Sequence, residues 1–145
     1  MYTCGYSRFI HERCPLSDRP FIKPNTINPI VNAVSMATNI ISPVTNIQLL
    51  PALSYSVVWT GSPVGTFQVQ VSNDYSQDPS GAQLNAGTWN TLPPSSFTGT
   101  YPVPAGSAGN GFLDVVGTGA AWVRLQYTAG SGAGNLTVIP SAKVL

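Results

Sequence analysis

Histidine occurs once in this 145-residue chain, at His11, and that scarcity limits the chemistry the sequence can support. A Ser-His-Asp or Cys-His-Asp centre would need His11 as its general base. Yet His11 sits in a segment with prolines at 15, 20, 24 and 29, a poor scaffold for a positioned base. Glycoside hydrolysis needs two carboxylates flanking one sugar bond. Beyond residue 35 the carboxylates are Asp74, Asp78 and Asp114. Asp74 and Asp78 share the loop 73–87 and read as turn residues whose side chains cap their own backbone. Asp114 and Arg124 fall in neighbouring expected strands and are expected to pair with each other. No catalytic residue is assigned, and the chain reads as a non-enzyme.

Metal chemistry has two candidate sets. Cys4, His11 and Cys14 form a C-x6-H-x2-C pattern, but three ligands at that spacing do not match a four-ligand structural zinc site. Cys4 and Cys14 read as unpaired thiols, with a disulfide as the alternative in an oxidising compartment. Asn73, Asp74, Ser76 and Asp78 are oxygen-rich in the manner of a calcium loop, and equally of a plain turn. No metal and no cofactor is expected. Sugar binding remains open, because aromatic faces can stack on saccharide rings. Trp59 and Trp122 share strands with other apolar residues and are expected in core packing or in a contact between subunits. Tyr75 and Trp89, at the edges of loop 73–87, are the candidate glycan contacts.

The elements that must carry these residues follow from composition and period. Charged residues are 8% of the chain and hydrophobic ones 43%, against about 25% charged in an average domain. Glycine (14) and proline (13) fill much of the difference, which makes the chain rich in turns. The net charge of +1 excludes the clustered cations of a nucleic-acid interface and polybasic membrane docking. Six of the charged residues (Arg8, Glu12, Arg13, Asp18, Arg19 and Lys23) lie in the first 23 positions. A body with so little charge is weakly protected against self-association, so cover by neighbouring subunits is expected. No apolar run reaches the roughly 18 residues of a membrane span. The first 20 residues lack the order of a secretory signal, so synthesis in a cytoplasm is expected, and the sequon at Asn135 reads as strand.

Residues 1–35 read as an extended, proline-rich arm. Prolines every four or five positions defeat a helix and remove ladder donors. Tyr2, Tyr6, Phe9, Ile10, Phe21, Ile22 and Ile27 make the arm too apolar for a solvated linker, and they are the candidate contacts to neighbouring subunits. Residues 36–145 read as all-β. The stretch 54–60 places Tyr55, Val57 and Trp59 on one face. The stretch 66–72 places Phe67, Val69 and Val71 inward, with Thr66, Gln68, Gln70 and Ser72 outward. The stretch 121–127 sets Val123, Leu125 and Tyr127 opposite Trp122, Arg124 and Gln126. Strand 135–139 follows a Gly/Ser turn. The links 61–65 and 129–134 have hairpin length, so two hairpins are expected. Weaker strands are expected at 36–41, 44–50, 88–92, 100–103, 112–116 and 142–145. The expected fold is an antiparallel β-sandwich or jelly roll of about eight strands with an extended N-terminal arm.

The order W-T-G-x-P-V-G-T-F (59–67), V-S-N-D (71–74), G-T-W (87–89), W-V-R-L-x-Y-T (122–128) and S-G-x-G-x-L (131–136) resembles small β-sandwich structural proteins of tailed bacteriophage virions, over roughly residues 37–145. The first 35 residues lie outside the resemblance. It implies a virion protein, assembled in the host cytoplasm, that serves as a capsid decoration or cement protein or as a tail accessory (adaptor, sheath- or fibre-associated). The implied partners are major capsid or tail proteins, copies of the same chain and, as a further partner, a host-surface glycan. Nucleic acid and membrane are not among them. The family supplies no catalytic residues to place on this chain.

Overall fold

The computed structural model describes residues 28–50, 52–92 and 104–143. The arm residues Tyr2, Tyr6, Phe9, Ile10, Phe21, Ile22 and Ile27, with Cys4, His11 and Cys14, lie outside these, as does the expected strand 100–103. Twelve strands form among the described residues. They are β1 (Val31–Ser35), β2 (Ile40–Ile41), β3 (Thr45–Asn46), β4 (Ala52–Trp59), β5 (Val64–Ser72) and β6 (Ser76–Gln77), then β7 (Gln83–Asn85), β8 (Asn90–Thr91), β9 (Pro104–Ala105), β10 (Gly109–Val116), β11 (Trp122–Ser131) and β12 (Asn135–Lys143). Six have five residues or more, and the others are two- or three-residue edge pieces.

The alternation read from the sequence builds an antiparallel β-sandwich. One sheet has the order β1-β12-β4-β10, and the other places β11 and β5 at its centre, with β2 and β3 along β11 and β8 and β9 along β5. Tyr55 and Val57 of β4, Phe67 and Val69 of β5, Val123 and Leu125 of β11 and Val138 of β12 all meet in one core. Trp59, Phe67 and Tyr127 stack through it, with ring centroids 5.6 and 5.1 Å apart. Trp59 is core as expected, and its indole N–H donates to the Ser107 carbonyl at 2.7 Å. Val71 is only partly buried.

Neither short link makes a hairpin. The chain leaves β4 in one sheet and enters β5 in the other, and it leaves β11 to enter β12 across the core. The two crossings lie side by side: Thr60 N–H donates to Asn135 O at 3.0 Å, and Ser62 N–H to Ala133 O at 3.1 Å. Gly132 holds φ at +76°, and a Cβ there would run into the Ser62 carbonyl. Turn length alone does not separate a hairpin from such a corner; the contact between the two corners does. The crossing from β10 to β11 likewise puts Asp114 and Arg124 in different sheets, so the expected pair does not form.

Two boundaries differ for reasons of backbone donors. Residues 31–35, read as the end of the arm, form β1 and pair with β12, since Pro29 is the last proline before Pro43 and leaves the intervening N–H groups free to pair. Strand β12 runs unbroken through Pro140. Val138 turns its carbonyl toward β1, accepting from Ile30 N–H at 2.9 Å. Pro140, two residues on, faces the same side beyond the end of that ladder, where its missing N–H costs nothing.

Burial pushes the Tyr55 phenol up to about 12, opposed by the Thr45 side chain. Tyr127 is also raised by burial, and its hydroxyl has no hydrogen-bond partner among the described residues. A buried unpaired hydroxyl costs about 1–3 kcal/mol. Tyr127→Phe is therefore expected to leave thermal stability unchanged or raise it. Gly132→Ala is expected to lower it by about 1–3 kcal/mol through backbone strain. Thermal unfolding followed by circular dichroism checks both, and a Gly132→Ala midpoint equal to wild type would contradict the corner packing.

Candidate functional site

The outer face of the β11/β5 sheet gathers side chains that the sequence scatters over fifty positions. Register places Arg124 opposite Gln70 and Trp122 opposite Ser72. The loop 73–88 then folds back over this face. Asp74 is the anchor: its Oδ1 accepts from Ser72 Oγ at 2.7 Å and from Thr88 N–H at 2.7 Å, and its Oδ2 accepts from Thr88 Oγ1 at 2.9 Å. Asn85 Nδ2 donates to the Asp74 carbonyl at 2.8 Å. The Thr88 N–H foremost, then the Ser72 and Thr88 hydroxyls, hold the Asp74 carboxyl down to about 2. Ser72 points outward as the alternation requires, yet it is buried because this loop covers it. Gly87 permits the closure, with φ at +68° and no room for a Cβ against Tyr75 and Ser72.

Asp78 closes the tip of the same loop in the manner read from sequence. Its Oδ1 accepts from Ser80 N–H, Ser80 Oγ and Ala82 N–H at 2.6–2.9 Å. The Ser80 hydroxyl is the first cause of its lowered pKa. Of the oxygen cluster, Asn73, Asp74 and Asp78 act as loop scaffolding: Asn73 Oδ1 accepts from Ala121 N–H at 2.9 Å, tying the loop to the start of β11.

Tyr75 and Trp89 are brought together, with ring centroids 5.5 Å apart. Trp122 joins them, edge-on to Tyr75 at 5.1 Å. This arrangement corrects the stacking role expected for Tyr75. Its ring is 9% exposed, wedged between the two tryptophans, and offers no free face to a sugar. Its hydroxyl instead donates to Gln77 Oε1 at 3.3 Å. Trp89 is half-buried, and its indole N–H donates to Ala86 O at 2.9 Å. The Arg124 guanidinium lies over the Trp89 ring, 4.0 Å from its centroid, while Arg124 Nε donates to Gln70 Oε1 at 2.8 Å. Arg124 is the residue that sequence reasoning missed. The signal available was its position: a lone cation amid alternating apolar residues, one strand away from the aromatic loop.

Arg124 floors an open groove of about 470 Å³. One wall is the broken edge strand around Pro43. Between β2 and β3 the Ser42 hydroxyl takes the Leu125 N–H at 2.9 Å, and Pro43 bulges outward with Ile41 and Val44 beside it. The other wall is the β6–β7 ribbon, with Gln77 and Gln83. A second cavity of about 280 Å³ lies on the opposite sheet, between Phe112, Asp114, Ser54 and Ser141. That sheet's outer face carries no covering loop among the described residues. Register rows align Asn110, Val58 and Thr137, then Phe112, Ser56 and Ile139, then Asp114, Ser54 and Ser141. A fourth row aligns Val116, Ala52 and Lys143, so Asp114 and Lys143 are the charged residues of these rows, and Phe112 is 59% exposed.

The Asp74 anchor predicts an acid transition confined to this face. A carboxyl held below its usual range stabilises the fold above that range, and the contribution is lost as protonation sets in. Between about pH 4 and about pH 2 the loop should release Trp89, seen as a change in tryptophan fluorescence. In Asp74→Asn the fluorescence should already resemble the acid form at neutral pH, and no further change should follow on acidification.

Among known proteins, no family model and no curated protein matches the chain. A solved structure similar to it is the K1 cleaved adhesin domain of Lys-gingipain (Kgp) from Porphyromonas gingivalis W83. The match has 16% identity and a TM-score of 0.35, and it covers 72% of this chain and 63% of that one.

Proposed function

We propose that the chain is a non-enzymatic structural protein of a bacteriophage virion, a capsid decoration or cement protein that adheres to neighbouring subunits. The observation that carries this reading is the uncovered, sparsely charged outer face of the β1-β12-β4-β10 sheet. Val58, Phe112 and Val116 are exposed on it, and its register rows hold only two charged residues, Asp114 and Lys143. A surface of this kind gains by being covered, since apolar area removed from water is worth about 25 cal/mol per Å². The arm residues Tyr2, Tyr6, Phe9, Ile10, Phe21, Ile22 and Ile27 supply a second contact. They precede β1, the edge strand of the same sheet. The phage-like motif order also supports the reading, and it admits a tail accessory role by the same contacts. Absence of catalysis is in keeping with the carboxylates: Asp74 and Asp78 hold a loop together, and Asp114 stands on the other sheet.

A second reading, glycan binding at the virion surface, is favoured by the Arg124 groove and the aromatic cluster behind it. It places the ligand against polar groups at Arg124, Gln77 and Gln83, with Trp89 as a support for the guanidinium.

Co-sedimentation with virions tests the adhesive role. Wild type should pellet with the particles. Deletion of residues 1–27 and Phe112→Glu should each lower the bound fraction at least tenfold while leaving the circular dichroism of the sandwich intact. If both variants pellet as the wild type does, neither surface is the adhesive one and the reading is overturned.

A further inference from the structure

We infer that the Arg124 groove is a binding site for a carboxylate-bearing saccharide, with the Arg124 guanidinium receiving the sugar carboxylate. This rests on the glycan reading above and names the ligand class for it.

Three observations converge on it. The guanidinium is fixed in place: one side lies on the Trp89 ring at 4.0 Å, and Nε is tied to Gln70 at 2.8 Å. The two terminal nitrogens make no hydrogen bond or ion pair to the described residues, although the group is partly buried. Burial lowers its pKa, and the neighbouring Tyr75 opposes that shift. A planar fork held rigid with its outer edge free is the geometry that receives a carboxylate in two parallel hydrogen bonds.

The groove around it is the second observation. Among the described residues that line it, Arg124 carries the only charge; the carboxylates of the adjoining loop, Asp74 and Asp78, are taken up by hydrogen bonds from Ser72, Thr88, Ser80 and Ala82. Its volume of about 470 Å³ falls in the range of about 300–1,000 Å³ common for small-ligand sites.

The third observation separates a sugar acid from an acidic peptide. The walls present side-chain amides, Gln77 and Gln83, and the Tyr75 edge, groups suited to ring hydroxyls. A peptide would instead draw on a free strand edge for its backbone. Here β11 is paired on both sides, and the strands that wall the groove are too short for a peptide ladder: β2 and β3 have two residues each, interrupted by Pro43 with no N–H to donate, and β6 and β7 have two and three.

The test is direct binding of the full chain to a panel of hexuronate- and sialate-containing oligosaccharides, each beside its methyl ester, with a glutamate-rich peptide as a further arm. The expected result is binding to acidic sugars that falls at least tenfold on esterification and at least tenfold in Arg124→Gln. Arg124→Lys should recover little, because an ammonium has no fork. Gln83→Ala, on the exposed ribbon, should weaken binding several-fold with an unchanged unfolding midpoint, so the proposal does not hang on one strand substitution. Equal binding of acids and esters would overturn the carboxylate assignment and leave the glycan reading standing. Binding of the glutamate peptide as tight as any sugar would overturn the saccharide class. No binding to any member of the panel would overturn both.

Discussion

Two chain crossings at one end of the sandwich govern the rest of the molecule. At 60–63 and again at 132–134 the chain passes from one sheet to the other, and the crossings hydrogen-bond to each other. Each central pair, β4 with β12 and β5 with β11, is thereby locked in register against the opposite pair. Period-2 alternation then does what it must: once register is fixed, every second residue of four strands is committed to one core. A glycine in the left-handed region is the condition for this contact at Gly132, because a Cβ there would meet the Ser62 carbonyl. Without the crossings these strands would have no reason to face one another, and the same alternation could have served a flat meander.

The two outer faces then diverge, and the reason is one carboxylate. On the β11/β5 sheet Asp74 gathers Ser72 and Thr88 and pulls a fifteen-residue excursion back over the strands. That closure buries Tyr75, orders Trp89 and thereby gives the Arg124 guanidinium a surface to lie on. The opposite sheet has no such loop among the described residues and presents its pleat bare. Electrostatics works through very few groups here. In a chain with 8% charged residues the carboxylates on this side, Asp74 and Asp78, are each committed to hydrogen bonds within the loop.

Much of the fold was legible from period. The inward faces at 55–59, 67–69 and 123–127 follow from alternation, and burial bears them out residue by residue. Partnership between strands was not legible. A five-residue Gly/Pro link has the same composition whether it turns within a sheet or across a core, so the two expected hairpins became corners and the Asp114–Arg124 pair dissolved. Proline was read too strictly at 140, because its cost depends on which neighbour its missing N–H would have faced. The site was half legible. Loop 73–87 marked Tyr75 and Trp89, but whether an aromatic is a platform or a wedge depends on what lies on its two faces, and Trp122 and Arg124 come from a strand some fifty residues away.

The contrast between the faces also bears on how the molecule could serve two contacts at once. An uncovered, sparsely charged sheet tolerates broad, non-directional adhesion, in which apolar area and shape count and a misplaced charge is the main penalty. A groove with one fixed fork does the opposite: it demands a particular anion in a particular orientation and gains little from area. Placing them on opposite sides of one core keeps them independent, since the ten-or-so ångströms of packed side chains between sheets leave no path by which covering one face need disturb the other. The β1–β12 edge belongs to the same side as the sparsely charged face. A sandwich held down through that side would therefore leave the groove turned outward, toward whatever approaches the surface.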